Sequence, residues 1–238
     1  MVKITLGHLY PKQMNVYGDM VNIITLKYRL DARGIKVEYR PVDSVAELKI
    51  AKPDILVGGG GQDSNQDIVQ SDLLKNKTLL NNLADNGVVM LMICGLYQLF
   101  GHRFIVSDEH IIEGIGVLDL ETKADHTRLI GNVVAESDWG QLVGFENHSG
   151  RTHLGAGVKP LAKVIKGAGN NGATKDEGAV YNNVFGSYLH GPMLAKNPQF
   201  ADELIKRALQ NNGESTELIT LDDTIEKQAA VIAAKRPR

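Results

Sequence analysis

Apolar positions along the chain fall into two spacings that alternate from the start. Val2 to Gly7 is a short apolar run that reads as a first strand. Gly18 to Ala32 changes to helical spacing, with apolar residues at Met20, Val21, Ile24, Leu26, Tyr28 and Leu30, and Gly34 stands where a helix C′ glycine is expected. Ile35 to Tyr39 alternates as a second strand, and Pro53 to Val57 makes a third that runs into Gly58-Gly59-Gly60-Gly61-Gln62-Asp63. Gln66 to Ala84 reads as one helix with Ile68, Val69, Leu73, Leu74, Leu79, Leu80 and Leu83 inward. Six apolar residues, Val88 to Ile93, then lead into Cys94-Gly95, after which Leu96 to Phe100 returns to helical spacing. A continuous apolar run of that kind suits a strand buried on both faces of a parallel sheet. The succession predicts a doubly wound α/β fold.

The pattern shifts between Val106 and Gly144, where short alternating pieces predict the antiparallel edge of a mixed sheet. Leu142 to Arg151 reads as a strand ending in a polar turn. Gly167 to Gly172 reads as a turn between hairpin-like strands. Gly178 to Tyr181 and Val184 to Leu189 flank Asn182-Asn183 as a two-residue hairpin. Pro198 to Gln210 is the last strongly patterned helix. The expected division is a domain over 1–210 and a tail or docking helix over 211–238, weakly amphipathic from Ile225 to Ala234 and basic at Lys235-Arg236-Pro237-Arg238.

Composition narrows this picture by exclusion. A chain of 238 residues can bury one good core. A formal charge of −2 gives no electrostatic case for nucleic acid or an anionic membrane surface. No apolar run has the length of a membrane span, and the first residues lack a signal-peptide pattern, so membrane insertion is not expected and a cytoplasmic protein is. One cysteine excludes an intrachain disulfide framework, and the histidines show no ligand spacing for zinc, so no metal is expected.

Candidate chemistry gathers around that cysteine. Cys94 lies at a strand-to-helix turn, at the carboxyl end of the sheet and against a helix N-terminus, as a nucleophile elbow requires. A buried lone Cys is otherwise a small hydrophobe. The four glycines after the third strand lack Gly-Lys-Ser/Thr and so are not a P-loop. They read as an oxyanion-hole N–H source or as a flexible turn. His190 closes a buried strand before Gly191-Pro192 and is the candidate base for Cys94. An acid to orient it is not evident, since position 192 is Pro. Arg128, in a polar stretch, reads as a surface charge unless a substrate carboxylate needs a bidentate partner.

Three segments together resemble class I glutamine amidotransferases of the cobyric-acid-synthase-like (CobB/CobQ-type) branch. They are Met92 to Gln98, Gly58 to Asp63 and Ser187 to Pro192, and Phe145 to Arg151 is similar to that branch's tyrosine-glutamate-x-histidine element. The whole chain is similar to the glutaminase subunits of bacterial lipid II isoglutaminyl synthases. The resemblance implies a flavodoxin-like three-layer sandwich, with Cys94 and His190 as a catalytic dyad hydrolysing L-glutamine. It further implies Gly60 and Gly95 as oxyanion donors, and Arg128 and Gln98 as substrate-binding residues. It implies no cofactor in this chain, and a Mur-ligase-like synthetase subunit (MurT) as heterodimer partner, carrying ATP, Mg²⁺ and the lipid II acceptor. Left open are another acceptor such as a cobyrinic-acid-type carboxylate, a stand-alone cysteine hydrolase or thiol protein, and a catalytically dead binding subunit.

Overall fold

The computed structural model describes residues 2–236. The chain begins with β1 (Lys3–Leu9), buried from Ile4 onward, followed after a ten-residue loop by α1 (Met20–Asp31). Next come β2 (Lys36–Val42), the single turn α2 (Leu48–Ala51) and β3 (Ile55–Gly58). The expected single helix over 66–84 is two, α3 (Asp63–Lys75) and α4 (Lys77–Asp85). Asn76 divides them: its side-chain amide donates to both the carbonyl and the carboxylate of Asp72, satisfying locally what a continuous helix would satisfy in its ladder. Ile68 and Leu74 of α3, expected inward, are exposed, whereas Val69, Leu73 and Leu80 face the core as expected.

β4 (Val89–Ile93) is buried at every residue and runs into α5 (Gly95–Leu99). It is followed by β5 (Arg103–Ser107), β6 (His110–Glu113), the long pair β7 (Leu120–Ser137) and β8 (Gly140–Leu154), then β9 (Ala162–Lys166) and β10 (Asp176–Glu177). β11 (Ala179–Tyr181) and β12 (Val184–Ser187) form the hairpin expected around Asn182-Asn183, with Asn182 at φ +50°. α6 (Met193–Lys196), α7 (Pro198–Asn211) and α8 (Thr224–Lys235) complete the described chain.

The first sheet has the order β11-β12-β4-β3-β1-β2, parallel except for β11. Its apolar strands carry the core, and the parallel pairings require the crossovers that the α/β alternation predicts. The antiparallel part is not merely an edge of that sheet. β10-β9-β7-β5-β6, with β8 on β7, form a second sheet of their own. Alternating burial along β7 and β8 explains why it holds together as one hairpin: one face packs inward while the other stays wet. The polar turn expected at the end of the 142–151 strand is instead a continuation of β8; Glu146, His148 and Gly150 are buried while Asn147, Ser149 and Arg151 point the other way. Pairing of β7 with β8 shifts register between Ala124 and Leu129, and this stretch of β7 is the one that leaves the core.

The two sheets meet at an isolated bridge: His190 and Phe145 exchange backbone hydrogen bonds of 2.8 and 3.1 Å. At the other end of the chain, the buried Arg29 of α1 forks onto Asp202 (2.7 Å) and Asp223 (2.6 Å), and Arg33 donates to the carbonyl of Ile219. The segment after α7 is thereby tied to the first domain layer, and α8 rests on β7, β8 and α6 with no residue fully buried. Pro237 and Arg238 of the basic end lie outside the described residues. No described helix is long and apolar enough to cross a membrane.

Candidate active site

Cys94 takes φ +51°, ψ −101°, a conformation that L side chains rarely adopt. Backbone bonds hold it there from both sides. Its N–H continues the β4–β12 pairing by donating to Ser187 O (2.9 Å), while its carbonyl already accepts the first helical bond from Gln98 N (3.0 Å). A strand and a helix are thus joined with no intervening loop, and the thiol is thrust out at the sheet's carboxyl end. It is 8% exposed, enough to reach a cleft of about 340 Å³ whose wall includes Tyr17, Gly60, Gly61, Gln98, Arg128 and Asn147.

His190, buried, is delivered to the thiol by the bridge to Phe145 rather than by β12 itself, which ends at Ser187. Its Nδ1 pairs with Asp19 Oδ1 at 3.1 Å, a carboxylate whose other oxygen accepts the Gly60 N–H at 2.7 Å. Asp19 sits at the start of α1 yet makes no side-chain cap bond; the carboxylate is turned into the site instead. With Nδ1–H directed at Asp19, Nε2 is left for the sulfur, at a geometry too loose to count as a formed bond, as is usual before substrate arrives. Burial alone would depress the imidazole, but the charge of the Cys94 sulfur and the bond to Asp19 outweigh it and raise its pKa to about 10. His190 therefore holds its proton at neutral pH.

The geometry separates two glycines that the sequence grouped together. Gly60 was expected to offer its N–H to an oxyanion, but that N–H is taken by Asp19. Its lack of a side chain serves another purpose: a Cβ there would stand 2.9 Å from His190 Cε1 and 3.2 Å from Cys94 Cβ, wedging the pair apart. The next residue, Gly61, lines the cleft, and neither its N–H nor that of Gly95 donates to a protein acceptor among the described residues. They are neighbours, since a Cβ on Gly95 would come within 3.0 Å of Gly61 N. Two free N–H groups beside a nucleophile form the donor pair that a developing oxyanion requires.

Arg128 lies in the β7 stretch where the register shifts, and reaches the cleft from the second sheet. Asn147 of β8 steers it, accepting Nε through its side chain and Nη2 through its carbonyl, both at 3.0 Å. Gln98 is placed differently from the expectation of a substrate contact. It is buried in the cleft floor with both ends of its amide engaged, accepting from Gln66 Nε2 (3.0 Å) and donating to Tyr188 Oη (3.1 Å). The bonds continue from Tyr188 to Thr152 (2.6 Å) and Thr122 (2.8 Å), a chain that braces the floor.

Other buried ionisable groups fix the frame. Glu146 accepts the N–H groups of Ala168 and Gly169, holding the turn over 167–172. His148 stacks flat on Tyr188 at 3.6 Å, and its Nδ1 bonds to Gly150 O; burial lowers its pKa and favours the neutral ring. Glu177 accepts from Ser187 Oγ (2.7 Å) and Tyr188 N (2.8 Å), just before His190, and burial pushes its carboxyl up to about 7. Sequence reasoning passed over Asp19 and gave Asn147 no role of its own; Gly61 lay within the run of four glycines read as an oxyanion-hole source, from which Gly60 was singled out.

Comparison with known proteins agrees with this geometry. The model of the CobB/CobQ-like glutamine amidotransferase domain matches residues 5–198. The chain is 38% identical over 237 residues to the lipid II isoglutaminyl synthase (glutamine-hydrolyzing) subunit GatD of Staphylococcus aureus, covering 99% of this chain and 97% of that one. It is likewise 38% identical over 232 residues to the GatD subunit of Streptococcus pneumoniae, covering 96% and 89%. Among solved structures, a glutamine amidotransferase superposes with a TM-score of 0.58 at 16% identity, covering 85% of this chain and 98% of that one, a likeness of fold alone.

Proposed function

Because the chain belongs to the CobB/CobQ-like glutamine amidotransferases, we propose that it is the glutaminase subunit of a lipid II isoglutaminyl synthase. The observation that carries the reading is the line Cys94–His190–Asp19 beneath a cleft gated by Arg128, in a chain resembling GatD subunits along nearly its whole length. The guanidinium of Arg128 takes the α-carboxylate of free glutamine and lays the side-chain amide across the elbow. Cys94 sulfur attacks the amide carbon, and the oxygen develops negative charge toward the N–H groups of Gly61 and Gly95. His190, already protonated, gives its proton to the departing nitrogen, so ammonia leaves and a glutamyl thioester remains. The now neutral imidazole then takes a proton from water, whose oxygen attacks the thioester; glutamate leaves, the C–S bond breaks back to the sulfur, and His190 again holds its proton. Asp19 keeps the ring in the tautomer that both steps need.

Ammonia is used by the companion subunit, a Mur-ligase-like synthetase of the MurT type that would hold ATP, Mg²⁺ and the lipid II acceptor. The pair forms a heterodimer in the cytoplasm, amidating the D-glutamate carboxyl of the stem peptide to D-isoglutamine during peptidoglycan synthesis. Two measurements test this. The purified chain is incubated with L-glutamine, with and without the synthetase, and ammonia is followed. Lipid II is then examined by mass spectrometry after incubation with both subunits, ATP and glutamine. Exchange of a hydroxyl for an amino group on the stem peptide is the expected result. Ammonia release without that exchange would leave a glutaminase serving another acceptor.

A further inference from the structure

Tyr17 is in an unusual place for a large aromatic residue. Its backbone lies at φ +62° and the next residue, Gly18, at φ +78°, so two successive residues occupy the left-handed region. Burial does not explain the arrangement, because Tyr17 is 47% exposed. A bulky side chain held in a sparsely populated conformation at a cleft points to a role in that cleft. The segment before it is pinned to the glycine loop, with Val16 N donating to Gly60 O at 3.0 Å. That pin delivers the Tyr17 ring edge-on to the imidazole of His190, with centroids 4.8 Å apart.

The hydroxyl of Tyr17 reaches across the cleft. It accepts a hydrogen bond from Asn147 Nδ2 at 2.8 Å, and the same Asn147 accepts two from Arg128. A single connected series therefore runs Arg128–Asn147–Tyr17–His190–Asp19, from the group proposed to take the α-carboxylate to the acid–base. One end lies on β7 of the second sheet and the other at the start of α1, and Tyr17 is the span between them.

We infer that Tyr17 is a positioning residue that makes the seating of His190 depend on occupancy of the α-carboxylate site. A carboxylate engaging Arg128 fixes the guanidinium, Asn147 and the Tyr17 hydroxyl together, and so presses the ring against the imidazole in its working position. An amide without the α-carboxylate binds with the span unsettled. Free glutamine is then selected in the chemical step as well as in binding. This rests on the glutaminase reading above.

The test compares wild-type chain, Tyr17→Phe and Tyr17→Ala with two substrates, L-glutamine and 4-aminobutanamide, which is glutamine without its α-carboxylate. Tyr17→Phe keeps the ring and loses only the link to Asn147. It is expected to lower kcat for glutamine about tenfold, with turnover of 4-aminobutanamide unchanged within about twofold. Tyr17→Ala should lower both, because the ring itself is gone. In a cycle with Arg128→Lys, the effect of Tyr17→Phe should largely vanish, since the link has nothing left to transmit. Equal effects of Tyr17→Phe on the two substrates, no effect on either, or simple additivity with Arg128→Lys would overturn the inference. Protection of Cys94 from iodoacetamide by L-glutamate reads the same link without turnover: Tyr17→Phe should need about tenfold more glutamate. Unchanged protection counts against the coupling. An inactive wild type that glutamate nevertheless protects, in a Tyr17-dependent way, would overturn the glutaminase reading while the coupling stands.

Discussion

The two sheets contribute to the cleft in different ways. On the parallel side, Cys94, Gly60, Gly61 and Gly95 are placed by backbone: a strained elbow, a strand pairing that continues through Cys94 N–H, and glycines that leave no room for a side chain. On the β7–β8 side, Arg128 and Asn147 reach in as side chains from a stretch where the ladder has lost register and burial. Backbone placement gives the fixed geometry that bond-making needs. Side chains on a loosened hairpin give reach and adjustability, which suit recognition. On the proposed reading the chemistry belongs to one sheet and recognition to the other, and His190 stands at a bridge between them, joined to Phe145 of β8 and lying beside Cys94 of the elbow.

Disturbing the parallel side should therefore cost most. Cys94→Ala is expected to abolish ammonia release, a loss on the order of 10⁴-fold or more, with an unchanged circular dichroism spectrum. The synthetase complex carrying Cys94→Ala should still amidate when ammonium salt replaces glutamine. Measurable glutaminase activity in Cys94→Ala would remove the nucleophile from this scheme. His190→Ala should cost about 10²–10⁴-fold, whereas His102→Ala, before β5, and His153→Ala, exposed on β8, should leave kcat near wild type.

Asp19 sharpens the same contrast, because it serves both neighbours of the nucleophile. Replacing it with Asn offers an amide where Nδ1–H and the Gly60 N–H both need an acceptor. The ring loses its tautomer and the glycine loop loses its anchor, so kcat should fall about 10²–10³-fold with KM for glutamine little changed. A KM effect of the same size, with kcat preserved, would place Asp19 on the recognition side instead.

Asp19 also shows where legibility ended. Apolar runs without alternation announced the parallel strands, and the strand-to-helix change announced Cys94, because both signals are local. Asp19 lies 171 residues from His190 and reads locally as the opening of a helix. Nothing in its neighbourhood marks a carboxylate turned away from the helix it begins. In the run Gly58 to Gly61, each residue looks alike, and which N–H stays free is settled by the distant Asp19. The second sheet was underestimated for a related reason. Alternation breaks at 124–129, so one long hairpin looked like separate pieces, and the same break is what frees Arg128 to reach the cleft. Gln98 was assigned to the substrate by resemblance, yet its amide is engaged by Gln66 and Tyr188.

On the recognition side the expected losses are smaller. Arg128→Lys keeps the charge but loses the planar fork, and Lys cannot reproduce the two bonds to Asn147 that aim it. A charge-assisted hydrogen bond contributes about 1.5–3 kcal/mol, so kcat/KM for glutamine should fall roughly 10–100-fold. Arg128→Ala should be little worse. Unchanged steady-state constants in both variants would make Arg128 a surface residue and empty the comparison of its recognition half.

The effect expected at the seam itself leaves catalysis alone and is one of stability. Glu177 belongs to β10 of the second sheet, but its carboxylate holds Ser187 and Tyr188 on the approach to His190 in the first. One of its oxygens has no partner, and burial raises its pKa from 4.5 to about 7. The sign follows from proton binding: between those values the folded chain holds a proton that the unfolded chain has released. Stability from this group is thus complete below pH 4.5 and is lost as pH rises through 7, by at most about 3 kcal/mol. Glu177→Gln cannot titrate, and its amide can still accept from Ser187 and Tyr188. Thermal or urea unfolding at pH 5 and pH 8 should therefore show a smaller fall in stability for Glu177→Gln than for wild type. Parallel falls in the two proteins would mean that Glu177 enters the fold already ionised, and that the seam between the sheets is held by a charge.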